Sequence, residues 1–297
     1  MQKIEEKKLL LAVSGGPDSI FMLEKFKHKN IVVAHVNYNK RIDSDIDQKI
    51  VENFCRKWNI KLFILKISKT FKIYNNFQNE ARKIRFNFFR KIYQKEKCDF
   101  LLLAHNKDDF FETAIMQKQK NKIVNYWGIK KNIHIWNMNV YRPFLEKYWK
   151  ENIEKYLLKN NINFAIDSSN NTNKYQRNKI RIFYKKKKLC KFFYFYKFMF
   201  LNIFLKHKEK QNQKKYLRWE MKNFSINYFK KEKKQLTLLF YTLNKKFNDL
   251  NLTRQKLLSI LQFIFSKNPS SEYKLKKDFY LVKKNKKLEF KTTIFSG

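Results

Sequence analysis

The residues best suited to chemistry form a short loop near the amino terminus. Ser14-Gly15-Gly16-Pro17-Asp18-Ser19 holds two of the four glycines of the chain and one of its three prolines. Adjacent glycines expose backbone amides, and a helix that follows adds the positive end of its dipole, so the segment predicts a site for phosphate oxygens. Ser14 and Ser19 offer hydroxyl donors, and Asp18 is suited to holding a divalent cation between phosphates. The loop matches neither the Gly-Lys-Ser/Thr pattern nor the spaced glycines of dinucleotide sites.

A second polar cluster follows a later apolar run. His105 comes directly after Phe100–Ala104, and Asp108 and Asp109 follow it. An Asp-Asp pair by itself is most often a solvated helix start or an N-cap. Carboxylates beside an imidazole also suit acid–base or metal chemistry, which keeps these three residues as catalytic candidates.

Four arginines form two pairs at helical spacing. Arg82 and Arg85 are three residues apart, and Arg177 and Arg181 are four apart, so each pair lies on one helix face. An isolated pair of this kind usually serves only solubility. Lys is abundant and Arg scarce in this chain, which favours planar, bidentate contacts with phosphate or a base edge.

Alternating strands and helices are predicted to position these residues. The strands are Leu9–Val13, Ile31–Val36, Leu62–Ile67 and Phe100–Ala104, and the helices between them include Ile46–Trp58 and Gln78–Lys95. This alternation predicts an α/β fold with a parallel sheet that binds its ligand at the carboxyl ends of the strands. Both polar clusters follow such an end.

The chain changes character in its second half, which is more basic and rich in Phe and Tyr. We expect a catalytic nucleotide-binding domain over residues 1–145 and a mostly helical basic region over residues 146–205. Residues 206–297 are predicted to form a small substrate-binding domain that ends in a hairpin of Phe279–Val282 and Leu288–Phe290.

Composition limits the classes of partner. Lys+Arg 67 against Asp+Glu 25 gives a net charge of +42, which predicts a polyanion such as nucleic acid, although an AT-rich coding sequence would also enrich Lys. The three cysteines form no C-x-x-C pair, which disfavours a zinc ribbon, an iron–sulfur site or a disulfide framework. No apolar run is long enough to cross a bilayer, so we expect a cytoplasmic protein without a membrane partner.

In chain order, the motifs resemble those of a known family. The loop at residues 14–19 resembles the pyrophosphate-binding loop of the N-type ATP pyrophosphatases, the PP-loop superfamily with its adenine nucleotide alpha-hydrolase-like fold. Six further segments are similar to motifs of one branch: Ala34–Tyr38, Glu80–Phe86, Ala104–Thr113 (A-H-x-x-D-D-x-x-E-T), Arg142–Leu145, Asp167–Asn170 and Arg177–Arg181. Together they resemble tRNA(Ile)-lysidine synthetase in its short form, over about residues 8 to 182.

The resemblance implies a ligase that uses ATP and Mg²⁺. The wobble cytidine of a CAU anticodon in an isoleucine tRNA is adenylated, the side-chain amine of free L-lysine attacks, and lysidine, AMP and pyrophosphate result. Residues 14–19 would bind ATP, Asp18 would hold the metal, and Asp108, Asp109 and His105 would serve catalysis and lysine recognition. The residues expected to contact tRNA are Arg82, Arg85, Arg177 and Arg181.

Two alternatives stay open at this point. The first is that the chain is another PP-loop enzyme, either a tRNA thiolase or a small-molecule ligase. A thiolase generally needs cysteines near its active site, and a small-molecule ligase would not need a charge of +42. The second is that the chain is a non-catalytic basic RNA-binding protein with a relic nucleotide loop. The intact Asp18, Asp108 and Asp109 weigh against the second alternative.

Overall fold

The computed structural model describes residues 6–39, 44–68, 77–120, 123–165, 176–247, 250, 252–268, 271–276 and 279–292. The predicted motif Asp167–Asn170 lies outside these ranges. The chain forms two compact units, one from residues 1–113 and 129–191, the other from 114–128 and 192–297. The three domains expected from the sequence, with boundaries after residues 145 and 205, stay a prediction.

A six-stranded sheet organises the first unit. Its strands are β1 (Leu9–Ala12), β2 (Ile31–Asn37), β3 (Lys61–Lys66), β4 (Phe100–Leu103), β5 (Asn132–Ile135) and β6 (Met138–Tyr141). They lie in the order β3-β2-β1-β4-β6-β5, and all neighbours are parallel except β5 and β6. The predicted α/β class with a parallel sheet is confirmed. Because β1 pairs with β4, the loops that follow these two strands leave the sheet side by side.

Helices flank the sheet in the first unit. They are α1 (Pro17–Phe26), α2 (Ser44–Lys57), α3 (Phe77–Lys95), α4 (Lys107–Gln119), α5 (Lys150–Lys159) and α6 (Gln176–Lys185). Side chains alternate across β1, so Leu9 and Leu11 pack in one apolar cluster with residues of α1, α2 and α5. Leu10 packs in another cluster, with residues of α3. Burial on both faces explains why the central strands read as continuous apolar runs.

The hairpin of β5 and β6 was not predicted. Its turn consists of Trp136 and Asn137, which both have positive φ, 55° and 57°. The usual sequence signal for such a turn is Asn-Gly or Asp-Gly, and Trp-Asn does not supply it. The four strands and the helices expected in this part of the chain are present within one or two residues of the predicted bounds.

The second unit is helical and ends in a small sheet. Its elements are α7 (Lys188–Met221), which begins in the first unit, α8 (Ile226–Lys230), α9 (Gln235–Lys246), α10 (Arg254–Phe265), β7 (Ser271–Lys276), β8 (Phe279–Lys284) and β9 (Lys287–Thr292). Its core surrounds Trp219, whose ring stacks on Phe229 at 4.5 Å between centroids. The predicted terminal hairpin is confirmed as β8–β9, and β7 adds an unpredicted third strand. Every helix in the described ranges is too short or too polar to span a bilayer.

Candidate active site

The loop between β1 and α1 has a conformation that glycine alone adopts easily. Gly15 has φ +92°, and a Cβ built on it would lie 3.0 Å from the carbonyl oxygen of Asp47. Gly16 is different, because it has φ −72° as the N-cap of α1, and a Cβ there would meet only Ser14 Oγ, at 3.7 Å. The fold therefore requires glycine at position 15. At position 16 it leaves open space above the start of a helix that no side chain caps.

Ser19 braces this loop from inside. Its hydroxyl donates to the carbonyl oxygen of Gly16 at 2.9 Å and accepts from the backbone amide of Ser14 at 3.1 Å. The sequence suggested hydroxyl donors to phosphate at both serines. The hydroxyl of Ser19 donates within the loop, and the exposed Ser14 hydroxyl lies 3.3 Å from Ser19 Oγ and donates to it. A further bond fixes the loop from a distance, since the amide of Ala165 donates to the carbonyl oxygen of Gly15 at 2.9 Å.

Asn106 connects this loop to the start of α4. Its side-chain Nδ2 donates to Asp18 Oδ1 at 2.8 Å. Its Oδ1 accepts from the amides of Asp108 and Asp109, and its own amide donates to Asp109 Oδ2 at 3.0 Å. This reciprocal arrangement is a capping box in which Asn and Asp replace the usual Ser/Thr and Glu. Buried Asn106 thus caps α4 and positions Asp18 at the same time.

Asp18 and Asp109 form a pair of like charges. Burial, and next the negative charge of Asp109, raise the pKa of Asp18 to about 7 from its ordinary 3.8. A carboxylate with such a pKa is half protonated at neutral pH. A cation between the two carboxylates would remove the repulsion and restore the charge of Asp18.

Asp108 has a different environment from its neighbour. Its Oδ2 accepts from the backbone amide of Lys150, the first residue of α5, at 2.8 Å. Its Oδ1 forms an ion pair with Lys191, whose ammonium also lies 4.6 Å from the ring centroid of Trp149. Both oxygens of this buried carboxylate are therefore engaged by the protein itself. Asp108 anchors α5, whereas the negative charge of Asp109 acts on Asp18.

His105 is held as a neutral hydrogen-bond donor. Arg142 Nε donates to His105 Nδ1 at 3.3 Å, so the ring proton is on Nε2. Burial, opposed by the negative charge of Asp109 and assisted by the positive charges of Arg142, Arg177 and Arg85, lowers the pKa of His105 to about 4. Buried Arg142 is itself fixed by a 2.7 Å bond from Nη1 to the carbonyl oxygen of Lys130. His105 is consequently a weak base and a good donor.

The helix α6 attaches to α4 through the second predicted arginine pair. Arg181 forms an ion pair with Glu112, with Nε 2.9 Å from Oε1, and Glu112 is only 1% exposed. Arg177 Nη2 donates to Thr113 Oγ1 at 3.2 Å and is exposed. Adjacent residues on α4 therefore meet residues one turn apart on α6. Arg181 stabilises this contact, and the positive charge of Arg177 acts on His105.

The first arginine pair lies on α3. Both Arg82 and Arg85 are exposed, and the guanidinium of Arg82 lies 4.7 Å from the ring centroid of Phe86. The charge of Arg82 acts on Arg142, and that of Arg85 acts on Tyr38 and His105. The positive charges of Arg82, Arg85 and Arg177 therefore act on His105 or on its neighbour Arg142. Their expected contacts with tRNA stay a prediction.

Comparison with known proteins identifies the family. Residues 1–186 match the PP-loop domain family. The tRNA(Ile)-lysidine synthase of Mycoplasmopsis pulmonis is 45% identical over 93% of this chain and 97% of its own length. The chain belongs to the tRNA(Ile)-lysidine synthase family. A second lysidine synthase, from Mesomycoplasma hyopneumoniae, is 41% identical over 96% of this chain and 97% of its own length.

The solved structures support the fold of this lysidine synthase family member. The U34-tRNA thiolase NcsA from Methanococcus maripaludis, solved with its [4Fe-4S] cluster, has a TM-score of 0.52 and 19% identity, covering 68% of this chain and 74% of the thiolase. At this identity the likeness concerns the fold alone. Use of ATP follows from the matched PP-loop domain.

The carboxylates of the site suit Mg²⁺ that also binds substrate phosphates better than a metal ion that is held by protein side chains alone. Among the described residues, no three His, Cys, Asp or Glu side chains could hold a metal together. Mg²⁺ is usually held by one or two carboxylates together with substrate phosphates and water. Asp18, in the first turn of a helix whose start is open, fits that pattern.

Three residues of the site were missed from the sequence. Asn106 occupies a variable position of the A-H-x-x-D-D motif, so the lysidine synthase pattern gave no reason to select it. Arg142 begins the quoted Arg-Pro-Phe-Leu segment, which was a usable signal. Lys191 stands among many lysines, and nothing local marks it as the partner of Asp108.

Proposed function

We propose that this chain ligates L-lysine to the wobble cytidine of an isoleucine tRNA with a CAU anticodon, using ATP and Mg²⁺ in the cytoplasm. Membership of the lysidine synthase family supports the proposal. The observation that carries it is the 2.8 Å hydrogen bond between Asn106 and Asp18. This bond joins the phosphate loop to the start of α4, so nucleotide activation and amine attack share one edge of the sheet.

The loop and the start of α1 hold the triphosphate. The open space at Gly16 and the uncapped amides of α1 accommodate phosphate oxygens. Mg²⁺, when bound, neutralises charge on the departing pyrophosphate. Asp18 would hold it. The carbonyl oxygen of the cytosine attacks the α-phosphorus of ATP, and the bond from that phosphorus to pyrophosphate breaks.

The second step needs a deprotonated amine. The ε-nitrogen of L-lysine attacks the ring carbon that carries the adenylated oxygen, and that oxygen leaves with AMP. Asp109 is the carboxylate that recognises the lysine ammonium and takes its proton, because both oxygens of Asp108 are engaged with Lys150 and Lys191. His105 donates from Nε2 to the negative charge that develops on the leaving oxygen.

The tRNA is held by the exposed arginines. Arg82, Arg85 and Arg177 contact phosphate or the anticodon loop. Arg181 acts mainly through Glu112, so its contribution to tRNA binding is the position of α6 and a share of the positive field.

Incorporation of labelled lysine tests the proposal. The protein is incubated with ATP, Mg²⁺, labelled L-lysine and the isoleucine tRNA with a CAU anticodon; the matched control is the same tRNA with uridine at the wobble position. We expect label only in the cytidine form, together with AMP and pyrophosphate. Label in neither tRNA, while ATP is consumed with another acceptor, would overturn the proposal.

The buried thiols weigh against the thiolase alternative. Burial raises the pKa of Cys55 to about 12 and that of Cys98 to about 11. Thiolates are the reactive and metal-binding form of cysteine, so these two side chains are poorly suited to sulfur transfer or cluster binding.

A further inference from the structure

The long helix α7 carries apolar side chains on two faces. Phe195, Phe198 and Asn202 form the buried face, and Asn202 exchanges hydrogen bonds with the backbone of Trp127 in the same unit. Six large side chains on the same stretch are instead exposed: Phe192 53%, Phe193 63%, Tyr196 46%, Phe200 59%, Ile203 57% and Phe204 51%. We call these six residues the α7 stripe. At about 100° per residue its centre lies about 150° from the buried face.

Exposure on this scale needs an explanation. Singly scattered apolar residues on a surface are ordinary, whereas a continuous patch of several hundred Å² usually marks an interaction site. Five of the six residues of the stripe are aromatic, and two pairs of their rings are in contact. The ring centroids of Phe192 and Tyr196 are 4.5 Å apart, and those of Phe200 and Phe204 are 4.9 Å apart. The buried core of this unit does not use these rings.

Lysines border the stripe on both sides. Helical periodicity places exposed Lys197 and Lys208 along one side and exposed Lys206 along the other. The sequence has no Asp or Glu between Asp167 and Glu209. A row of rings bordered by lysines is complementary to a strand whose bases are apolar planes and whose backbone is anionic.

We propose that the α7 stripe binds unpaired bases of the tRNA, with the bordering lysines on the adjacent phosphates. The inference rests on the proposed function, because that function supplies the tRNA. A second copy of the chain fits less well, since pairing two stripes would bring lysine rows together without a carboxylate between them. The remaining candidate partner is a membrane surface of anionic lipid, and the experiment below distinguishes it from RNA.

The decisive variant removes the flat rings but keeps an apolar surface. In the triple variant Phe193→Leu, Phe200→Leu, Phe204→Leu, the helix and its exposed apolar character persist, whereas stacking on bases is lost. We expect the affinity for the isoleucine tRNA to fall at least about 10-fold at every salt concentration, since loss of one stacked base already has such an effect. Fluorescence anisotropy with labelled tRNA measures it.

The lysines give a second, different signature. Lys197→Gln together with Lys208→Gln should reduce the slope of log affinity against log salt by about 0.7 for each lysine that contacts a single-stranded phosphate.

The matched control for the stripe is Leu217→Gln with Met221→Gln, which removes apolar side chains that are 44% and 80% exposed on α7 outside the stripe. The control should bind tRNA like the wild type, and circular dichroism should show all variants equally folded.

Unchanged tRNA affinity in the triple leucine variant would overturn the inference. So would a wild-type dimer that dissociates in the triple variant Phe193→Gln, Phe200→Gln, Phe204→Gln, measured by sedimentation, because the occupant would then be a second copy. Binding to vesicles of phosphatidylcholine and phosphatidylserine that persists in the leucine variant and disappears in the glutamine variant would overturn it in favour of lipid.

Lysine incorporation separates this inference from the proposed function. Wild-type protein that forms lysidine, with a leucine variant of unchanged tRNA affinity, refutes only the role of the stripe. Wild-type protein that binds tRNA through the stripe and forms no lysidine refutes only the catalytic proposal.

Discussion

The helices α1 and α4 begin side by side, after adjacent strands, yet their first turns are completed in opposite ways. At α1 the N-cap is Gly16, Pro17 follows it, and no side chain caps the helix. At α4 the side chain of Asn106 caps two amides, and Asp109 returns a bond to the amide of Asn106. One start is open and the other is closed by its own side chains.

The difference shows how neighbouring helix starts divide their work. An open start keeps its amides for a ligand with negative charge, which suits a triphosphate. A closed start cannot bind an anion in that way, but it fixes its own carboxylates rigidly, which suits the recognition of cations. Asn106 contributes to both helix starts, because it caps α4 and donates a hydrogen bond to Asp18 of α1.

The largest effect should come from neutralising the carboxylate of the open start. Asp18→Asn keeps the shape and an oxygen near Asn106 but removes the charge that holds Mg²⁺. We expect lysine incorporation to fall about 100- to 1000-fold, equivalent to about 3 to 4 kcal/mol in the barrier. Affinity for tRNA should stay within twofold of wild type. Normal ATP turnover in this variant would show that Asp18 does not hold the metal.

The two glycines should separate fold from ligand binding. Gly15→Ala brings a Cβ to 3.0 Å from a backbone oxygen at a φ of +92°, so it should cost about 1 to 3 kcal/mol of folding free energy and reduce ATP affinity at least about 10-fold. Gly16→Ala should leave stability within about 0.5 kcal/mol and still weaken ATP, because its Cβ enters the ligand space. Thermal melting and ATP titration measure both. Equal melting temperatures for the two variants would contradict the contrast.

One turn further along α4, the contacts of Arg181 and Arg177 should have different effects, one on stability and the other on tRNA binding. Arg181→Ala leaves the carboxylate of Glu112 buried without its partner and should cost about 3 kcal/mol of stability. Arg177→Ala should change stability by less than about 0.5 kcal/mol, weaken tRNA binding and reduce the salt slope by about 1. If the arginine 177 variant binds tRNA like wild type at every salt concentration, its proposed contact is wrong.

The like-charge pair should leave a signature in stability. The pKa of Asp18 rises from 3.8 to about 7 on folding, so the folded protein binds more protons than the unfolded chain between these values. Stability contributed by Asp18 therefore falls as pH rises from about 4 to about 7. Asp18→Asn should gain about 1 to 2 kcal/mol over wild type at pH 8 and nothing at about pH 4. Urea unfolding at both pH values measures this, and an equal gain at both would refute the shift.

The smallest effect should follow loss of the shared cap. Asn106→Ala removes the cap of α4, worth about 1 kcal/mol, and releases Asp18, so lysine incorporation should fall about fivefold. The matched control is Thr253→Ala, which removes the cap of α10 that accepts from the amide of Lys256. The control should lose similar stability and no activity. Similar activity in both variants would mean that the link to Asp18 is unimportant.

Local patterns predicted the elements and the motif residues well. Runs such as Leu9–Val13 and the clustered glycines at 15 and 16 carry their own signals, and the structure places them as a strand and a tight loop. The sequence also predicted that both polar clusters lie at the carboxyl ends of strands, and the pairing of β1 with β4 brings these two ends together.

Tertiary partners were not predictable from local patterns. The two aspartates at 108 and 109 are identical in type and adjacent, and only the fold assigns one to Lys191 and α5 and the other to Asp18. The ion pair of Asp108 joins residues 83 positions apart. The sequence likewise predicted a basic, mostly helical region rich in Phe and Tyr, but composition bias concealed that one apolar face of α7 is exposed.

The bond from Ala165 to Gly15 also has a consequence for biosynthesis. The nucleotide loop is translated among the first residues, but the amide that fixes its carbonyl belongs to a residue made much later. A nascent chain that has not yet released this part from the ribosome lacks the final support of its loop. The hydrogen bond that fixes the Gly15 carbonyl can therefore form only after the chain through residue 165 has been made.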